Sequence, residues 1–185
     1  MGEHQRARQQ LRGFINFMLY VVMILFITFL LIRFVGQRTE VVGYSMYPTL
    51  DNGDQLIVEK ISYRFTDPKR FDIIVFPYRY EDKTYYVKRI IGLPGERIRI
   101  DDAGNIYING EILEEHYGRE VIQDPGIAST EITLGDDEYF VMGDNRNDSK
   151  DSRDPSVGPI HRKELIGRVW LRLYPFSRFG LMKGK

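Results

Sequence analysis

Apolar residues follow two different patterns along the chain. Residues 14–32, "FINFMLYVVMILFITFLLI", form nineteen positions without a charge, close to the roughly 20 that a helix needs to cross the hydrocarbon core of a bilayer. Beyond Thr39, short β-branched and aromatic runs are interrupted every 8 to 15 residues by Gly, Pro, Asn or Asp. This second pattern is typical of strands joined by turns. We therefore expect one membrane-spanning helix and a mainly β domain built as a single antiparallel sheet or barrel-like structure.

Nine runs in the second part have the length and composition of strands. They are residues 39–44, 54–60, 72–78, 84–92, 96–100, 105–108, 111–113, 137–143 and 165–174. Asn109-Gly110 predicts a two-residue hairpin because both turn positions need positive φ, and Pro94-Gly95 suits a type II turn. Residues 114–136 are polar and irregular, so we expect a loop or small excursion there.

The charges around the apolar segment indicate its orientation. Three arginines precede it and two follow it, which favours a cytoplasmic N-terminus. A cleaved secretory signal is the competing interpretation, but its apolar region should run only about 7 to 15 residues and end at small residues. "IRFVGQRTE" lacks that pattern. We expect a cytoplasmic segment at 1–13, a single retained anchor at 14–35 and an extracytoplasmic catalytic domain at 36–185.

Overall composition excludes several classes of function. The chain has 26 basic and 26 acidic residues, and since residues 1–38 hold five Arg and one Glu, the remainder carries 21 basic and 25 acidic. A nucleic-acid partner is therefore not expected. Cysteine is absent, which excludes disulfides, thiolate metal sites and a cysteine nucleophile. A length of 185 residues suits one compact domain with an appendage.

A serine follows the apolar segment on the turn-prone stretch "VVGYSMYPTL", residues 41–50. Gly43 allows a tight bend and Pro48 stiffens the chain after Ser45, so the hydroxyl could be held in one orientation. A plain turn residue is the alternative. A serine nucleophile needs a base, but His4 lies before the anchor, and His116 and His161 lie in polar, turn-rich surroundings. A nucleophilic Ser45 would therefore use a base other than histidine.

A lysine within a predicted strand is a candidate for that base. Burial lowers the pKa of a lysine towards working pH, so that the amine becomes neutral and can accept a proton. In "YYVKRIIG", alternation places Lys88 on the face of Tyr86 and Ile90, whereas Arg89 shares the other face with Val87. One of the two charged residues faces unusual surroundings if both faces are covered. The alternative is an edge strand from which Lys88 reaches solvent.

The segment "GDNRNDSKDSR", residues 143–153, concentrates charged and amide side chains directly after an apolar run. One interpretation is a solvated loop, since Asp, Asn and Gly favour turns. The alternative is a cross-linked scaffold, in which Asp144 or Asp151 pairs with Arg146, Arg153 or Arg89. Such a scaffold could hold a hydroxyl beside Lys88.

Taken together and in this order, these segments resemble those of bacterial type I signal peptidases, which are membrane-anchored Ser-Lys proteases. The matching segments are "SMYPTL" (45–50), "GDQLIV" (53–58), "YVKRIIGLPGE" (86–96) and "GDNRNDSKDSR" (143–153). The resemblance implies that Ser45 is the nucleophile, that Lys88 is the general base and that Ser149 hydrogen-bonds to the lysine amine. It also implies that the remaining charged residues of the last segment support the site, namely Asp144, Arg146, Asp151 and Arg153.

The family cleaves signal peptides from exported preproteins after small residues at the bacterial plasma membrane, and it uses no metal or cofactor. We accordingly expect preprotein signal peptides and membrane lipid as partners of a monomeric enzyme. Some members carry a serine that assists the oxyanion hole where this chain has Gly43, so the oxyanion would rely on the Ser45 N–H with the Gly43 backbone or a water. Two alternatives remain: a non-catalytic membrane-tethered β module that binds peptides, and a self-cleaving repressor-type Ser-Lys peptidase.

Overall fold

A long N-terminal helix precedes the β-rich part of the chain. The computed structural model describes residues 2–30 and 36–182, and helix α1 spans Gly2–Leu30. Its portion Arg8–Leu30 is long and apolar enough to cross a membrane, and its most apolar stretch is not buried against the protein. The helix begins well before the predicted anchor because the polar residues ahead of Phe14 are mostly good helix formers. Residues 31–35, the end of the predicted anchor, lie outside the described residues.

Within residues 36–182, twelve strands follow the helix. They are β1 (Gly36–Glu40), β2 (Gln55–Glu59), β3 (Ile73–Pro77), β4 (Tyr85–Gly92), β5 (Arg97–Ile100), β6 (Ile106–Ile108), β7 (Glu111–Ile112), β8 (Ile132–Thr133), β9 (Glu138–Met142), β10 (Ile160–His161), β11 (Gly167–Tyr174) and β12 (Gly180–Leu181). The predicted mainly β class is confirmed. The two-residue strands β8, β10 and β12 were not predicted, because so short a segment carries no readable alternation.

The strands form two antiparallel sheets rather than the single sheet that we expected. The larger has the order β1-β2-β11-β3-β4-β9-β10, with β12 added to β11, and the smaller has the order β7-β6-β5-β8. The division falls at the predicted turn, where Gly95 has φ 75° and Glu96 N donates to Leu93 O at 3.1 Å. Because the chain reverses there, β5 leaves the large sheet and starts a new one.

Two local predictions differ in outcome. The hairpin at Asn109-Gly110 is confirmed, with positive φ at both residues and pairing between β6 and β7. The first strand was predicted at 39–44 but ends at Glu40. Val41 turns into the core, where it is buried beside Met46, and Gly43 has φ 97°. The chain therefore leaves the sheet just before Ser45.

Strand β4 lies inside the large sheet. It pairs with β3 on one side and β9 on the other, and its Ile91 packs with Phe140 against the isoleucines of the small sheet. Both faces of β4 are therefore covered around Lys88 and Arg89, which are 3% and 1% exposed. The alternative in which Lys88 reaches solvent from an edge strand is wrong.

Candidate active site

Ser45 lies at the start of a turn that is fixed by backbone hydrogen bonds and by buried apolar side chains. Tyr47 N donates to Tyr44 O and Leu50 N donates to Met46 O, while Met46 and Leu50 are buried in the core. The loop carrying Ser45 is thereby anchored by apolar packing immediately after the hydroxyl. Since a buried neighbour fixes the backbone, the serine presents its Oγ in one direction.

The Lys88 amine meets the Ser45 hydroxyl. Lys88 Nζ lies 2.8 Å from Ser45 Oγ and donates to Val87 O at 3.1 Å, and the ring centroid of Tyr86 is 5.0 Å from Nζ. Burial lowers the pKa of Lys88 from 10.5 to about 8, and the negative charges of Asp151 and Asp144 oppose that fall. A substantial fraction of this amine is therefore neutral near pH 8 and able to accept a proton.

A buried ion pair fixes the residue next to Lys88. Arg89 Nε and Nη2 donate to the two carboxylate oxygens of Asp144 at 2.8 and 2.6 Å, and Nη1 donates to Phe71 O at 2.9 Å. The guanidinium also lies 3.7 Å from the ring centroid of Tyr117. This two-point pairing connects β4 to the 143–153 segment and limits the movement of the backbone beside Lys88.

A second pair organises the segment itself. Arg153 Nε and Nη2 donate to Asp151 at 2.8 and 2.9 Å, and Arg153 Nη2 also donates to Arg146 O. The Asp151 carboxylate in turn accepts the Gly143 N–H at 3.0 Å. Asp144, Asp151, Arg146 and Arg153 are all buried, so the interpretation of this segment as a solvated loop is wrong.

Arg146 has a partner outside the predicted set. Its Nη1 lies 2.8 Å from Glu115 Oε1 and its Nε donates to Gly143 O at 3.0 Å. Glu115 belongs to the stretch 114–136, the predicted excursion, which contains the short helical turn Gly126–Ser129 and strand β8. Sequence reasoning missed Glu115 because nothing in a polar loop distinguishes one carboxylate from its neighbours.

Two further residues that sequence reasoning missed position the Ser45 backbone. Asn145 donates from its backbone N to Ser45 O at 3.0 Å and from its side-chain amide to Tyr44 O at 3.1 Å. Gly143 is approached so closely that a Cβ there would overlap Ser149 Oγ and Ser45 O. Both residues lie in the 143–153 segment, so their position next to the predicted charged residues is the sequence feature that could have identified them.

Ser149 does not make the predicted hydrogen bond to Lys88. Its Oγ is buried and has no hydrogen-bond partner among the described residues. The amine is directed instead to Ser45 Oγ and Val87 O, while Ser149 packs against Gly143. The structure therefore brings Ser149 next to the loop that holds Ser45, and no described residue hydrogen-bonds to its hydroxyl.

Gly43 contributes a bend, but its N–H is already used. With φ 97° it adopts a conformation that favours glycine, and its N–H donates to Asn52 Oδ1 at 2.9 Å. The suggestion that the Gly43 backbone is a second oxyanion donor is therefore not supported. The Ser45 N–H, by contrast, makes no hydrogen bond to any residue within 2–30 or 36–182.

Comparison with known proteins identifies the family. Residues 14–174 match the family model described as signal peptidase, peptidase S26. The chain belongs to that family. An exposed apolar helix at the N-terminus of a member of the signal peptidase family fits membrane anchoring.

Two curated relatives agree with this assignment. The chain is 40% identical over 156 residues to a probable signal peptidase I-2 of Synechocystis sp., covering 80% of this chain and 68% of the relative. It is 35% identical over 181 residues to signal peptidase I P of Bacillus subtilis subsp. natto, covering 94% and 96%. A crystal structure of a signal peptidase I from Enterococcus faecalis V583 is 32% identical, with TM-score 0.45, and matches 56% of this chain and 97% of that one.

Proposed function

We propose that this protein is a membrane-anchored serine endopeptidase that removes signal peptides from exported preproteins. The observation that carries the proposal is the 2.8 Å contact between Ser45 Oγ and Lys88 Nζ. Lys88 is 3% exposed, and the pKa of its amine is lowered by burial to about 8. In this proposal Ser45 is the nucleophile and Lys88 is the general base. Because one chain supplies both groups, we propose that a monomer is sufficient.

The reaction divides into acylation and deacylation. The neutral Lys88 amine takes the Ser45 proton while Oγ bonds to the scissile carbonyl carbon, and the resulting ammonium then protonates the departing amine as the C–N bond breaks. A water next attacks the ester carbonyl, gives its proton to Lys88, and the C–Oγ bond breaks as that proton returns to Oγ. The Ser149 hydroxyl, which is buried and has no hydrogen-bond partner within the described ranges, is the proposed acceptor for an N–H of the charged amine.

The tetrahedral intermediates carry a negative oxygen that needs a donor. The Ser45 N–H serves this purpose in the proposal, since it has no partner among the described residues. The backbone hydrogen bond from Asn145 to Ser45 O holds the adjoining peptide. With the Gly43 N–H bound to Asn52, a water supplies the second donor. The loss of one such donor costs about 10² to 10³ in rate.

A cavity beside β4, the strand that carries Lys88, supports the binding of a substrate side chain there. It has a volume of about 170 Å³ and lies between β1 and β4, with Thr39, Val58, Val75 and Tyr85 in its lining. Among residues 2–30 and 36–182, strand β1 has a neighbouring strand on only one side. A peptide added to the free edge of β1 would place alternate side chains towards this cavity.

The proposed location is the bacterial plasma membrane, with the N-terminus cytoplasmic and the domain from residue 36 onward extracytoplasmic. The basic bias of the flanks supports this orientation. Because the chain has no cysteine, Gly2→Cys and Lys83→Cys each introduce one thiol for an impermeant maleimide. In intact cells we expect labelling of Lys83→Cys alone. Labelling of Gly2→Cys alone would show the opposite orientation, with the N-terminus outside the cytoplasm.

The peptidase is tested with the full chain in detergent and a labelled preprotein, the cut being mapped by mass spectrometry. We expect wild type to cut after a small residue, and we expect no cleavage from Ser45→Ala or Lys88→Met. Ser129→Ala and Lys83→Met change exposed residues of the same types and should keep wild-type activity. Undiminished cleavage by Ser45→Ala would refute the assignment of the nucleophile, and binding without any cleavage by wild type would favour a non-catalytic module.

A further inference from the structure

An open pocket with mostly basic walls lies apart from the dyad. Its volume is about 610 Å³, within the range of small-molecule sites. The charged side chains in its walls are four cationic and one acidic, namely Lys60, Arg64, Arg162, Lys163 and Asp137. Lys60 also lines the cavity between β1 and β4, and none of the five charged side chains takes part in the proposed catalytic steps.

The cations of the pocket differ in how far they are already paired. Arg162 donates to Tyr63 O at 3.0 Å and pairs with Asp67 at 3.2 Å, so it is held in the wall. Arg64 and Lys163 are exposed, and within the described part of the chain their side chains make no hydrogen bond or ion pair. The pocket therefore presents positive charge that is available to an anionic ligand.

The pocket lies close to the point where the chain leaves its anchor. Lys60 directly follows β2 and donates to Gln37 Oε1 at 2.7 Å, and Glu59 pairs with Gly36, the first residue of β1. Six residue steps separate Leu30, where α1 ends, from Gly36, which is a span of at most about 21 Å. A bilayer holding α1 is therefore within reach of this end of the sheet.

An aromatic side chain beside the pocket adds a second, independent feature. Phe65 follows the short helical turn Ser62–Arg64 and is 82% exposed. An exposed aromatic ring next to unpaired cations is the combination that interfacial segments use, since the ring enters the acyl boundary while the cations meet anionic headgroups.

We propose that this pocket binds the phosphate headgroup of an anionic phospholipid and that Phe65 enters the bilayer beside it. Each Lys or Arg near an anionic surface contributes attraction that decays within a Debye length of about 8 Å, so the contact requires the pocket to face the membrane. The contact would fix the tilt of the domain on its tether. The inference depends on membrane anchoring and not on the peptidase chemistry.

The test places a fluorescent reporter at the pocket of the full chain in nanodiscs. Phe65→Trp in a Trp170→Phe background leaves one tryptophan, since the chain has only one. With discs containing phosphatidylglycerol we expect blue-shifted emission that brominated acyl chains quench, and with phosphatidylcholine alone we expect neither effect. Adding Ser45→Ala should change nothing, which separates this site from catalysis.

Charge variants identify the residues responsible. Arg64→Glu with Lys163→Glu should reduce quenching in phosphatidylglycerol discs to the phosphatidylcholine level, whereas Arg64→Lys with Lys163→Arg should keep it. Lys83→Glu with Arg99→Glu is the matched control for charge outside the pocket. Quenching that survives Arg64→Glu with Lys163→Glu would overturn the proposal. So would an emission change caused by soluble glycerol phosphate but not by phosphatidylglycerol, since the pocket would then serve a soluble ligand.

Discussion

The protonation of Lys88 makes a quantitative prediction about the pH dependence of cleavage. Burial lowers its pKa from 10.5 to about 8, and only the neutral amine can accept the Ser45 proton. With a pKa of 8, about one tenth of the amine is neutral at pH 7 and about nine tenths at pH 9. We therefore expect kcat/KM to rise roughly ten-fold between these two values and to level off above pH 9. With an ordinary pKa of 10.5, the same interval would give a rise of roughly one hundred-fold without a plateau.

The assay measures kcat/KM on a slowly cleaved preprotein between pH 6 and 10.5, so that chemistry limits the rate. Asp151→Asn provides a directional control, because it removes a negative charge that raises the pKa of Lys88 while keeping an oxygen for the Gly143 N–H. Its acid limb should move to lower pH than that of wild type. A continuous hundred-fold rise in wild type, or an acid limb moved to higher pH by Asp151→Asn, would show that the buried amine is not the titrating base.

Three further predictions concern stability. Lys88→Met should abolish cleavage yet raise the free energy of unfolding at pH 7 by up to about 3 kcal/mol. Below pH 8 both folded and unfolded wild type are protonated at Lys88, so the folded state bears the whole cost of burying an ammonium. That cost falls as pH rises from 8 to 10.5. Denaturation at pH 8 and at pH 10.5 should therefore show that the stability gained by Lys88→Met over wild type shrinks as pH rises. Asp144→Asn leaves the Arg89 guanidinium without its carboxylate and should lose about 3 to 5 kcal/mol in urea unfolding. Glu131→Gln at the exposed pair with Arg97 should lose less than about 1 kcal/mol, and equal losses would contradict the role of burial. Gly143→Ala should lower both melting temperature and kcat, since its Cβ would overlap Ser149 and the Ser45 carbonyl; wild-type values for both would contradict the close approach.

Much of the local structure could be predicted from alternation and turn residues. Strands β2, β3, β4 and β9 lie within their predicted runs, because Pro, Gly or Asp flanks stretches rich in β-branched and aromatic residues. The pairing of Arg89 with Asp144 and of Arg153 with Asp151 was among the combinations anticipated, although the sequence could not select among them.

The parts that could not be predicted depend on long-range packing. The two sheets separate at the Pro94-Gly95 turn, and the position of this turn could be predicted from the sequence. The separation into two sheets could not, because it depends on the pairing of β5 with β6. Glu115 reaches Arg146 across 31 positions of sequence, and Asn145 reaches Tyr44 across 101. Such contacts follow from the assembled fold, and local propensity carries no information about them.

In the proposed function, the substrate peptide binds to the edge of β1 that is free among the described residues, and the shortness of this edge limits the affinity. Only alternate residues of Gly36–Glu40 direct their N–H and C=O outward, which allows roughly four ladder hydrogen bonds. At about 1 kcal/mol each, these correspond to millimolar affinity. Efficient cleavage then requires a high effective concentration of substrate. A preprotein whose apolar segment lies in the same bilayer is held beside the edge of β1 at such a concentration. A soluble peptide with the same cleavage sequence is not, and we expect it to be cleaved poorly.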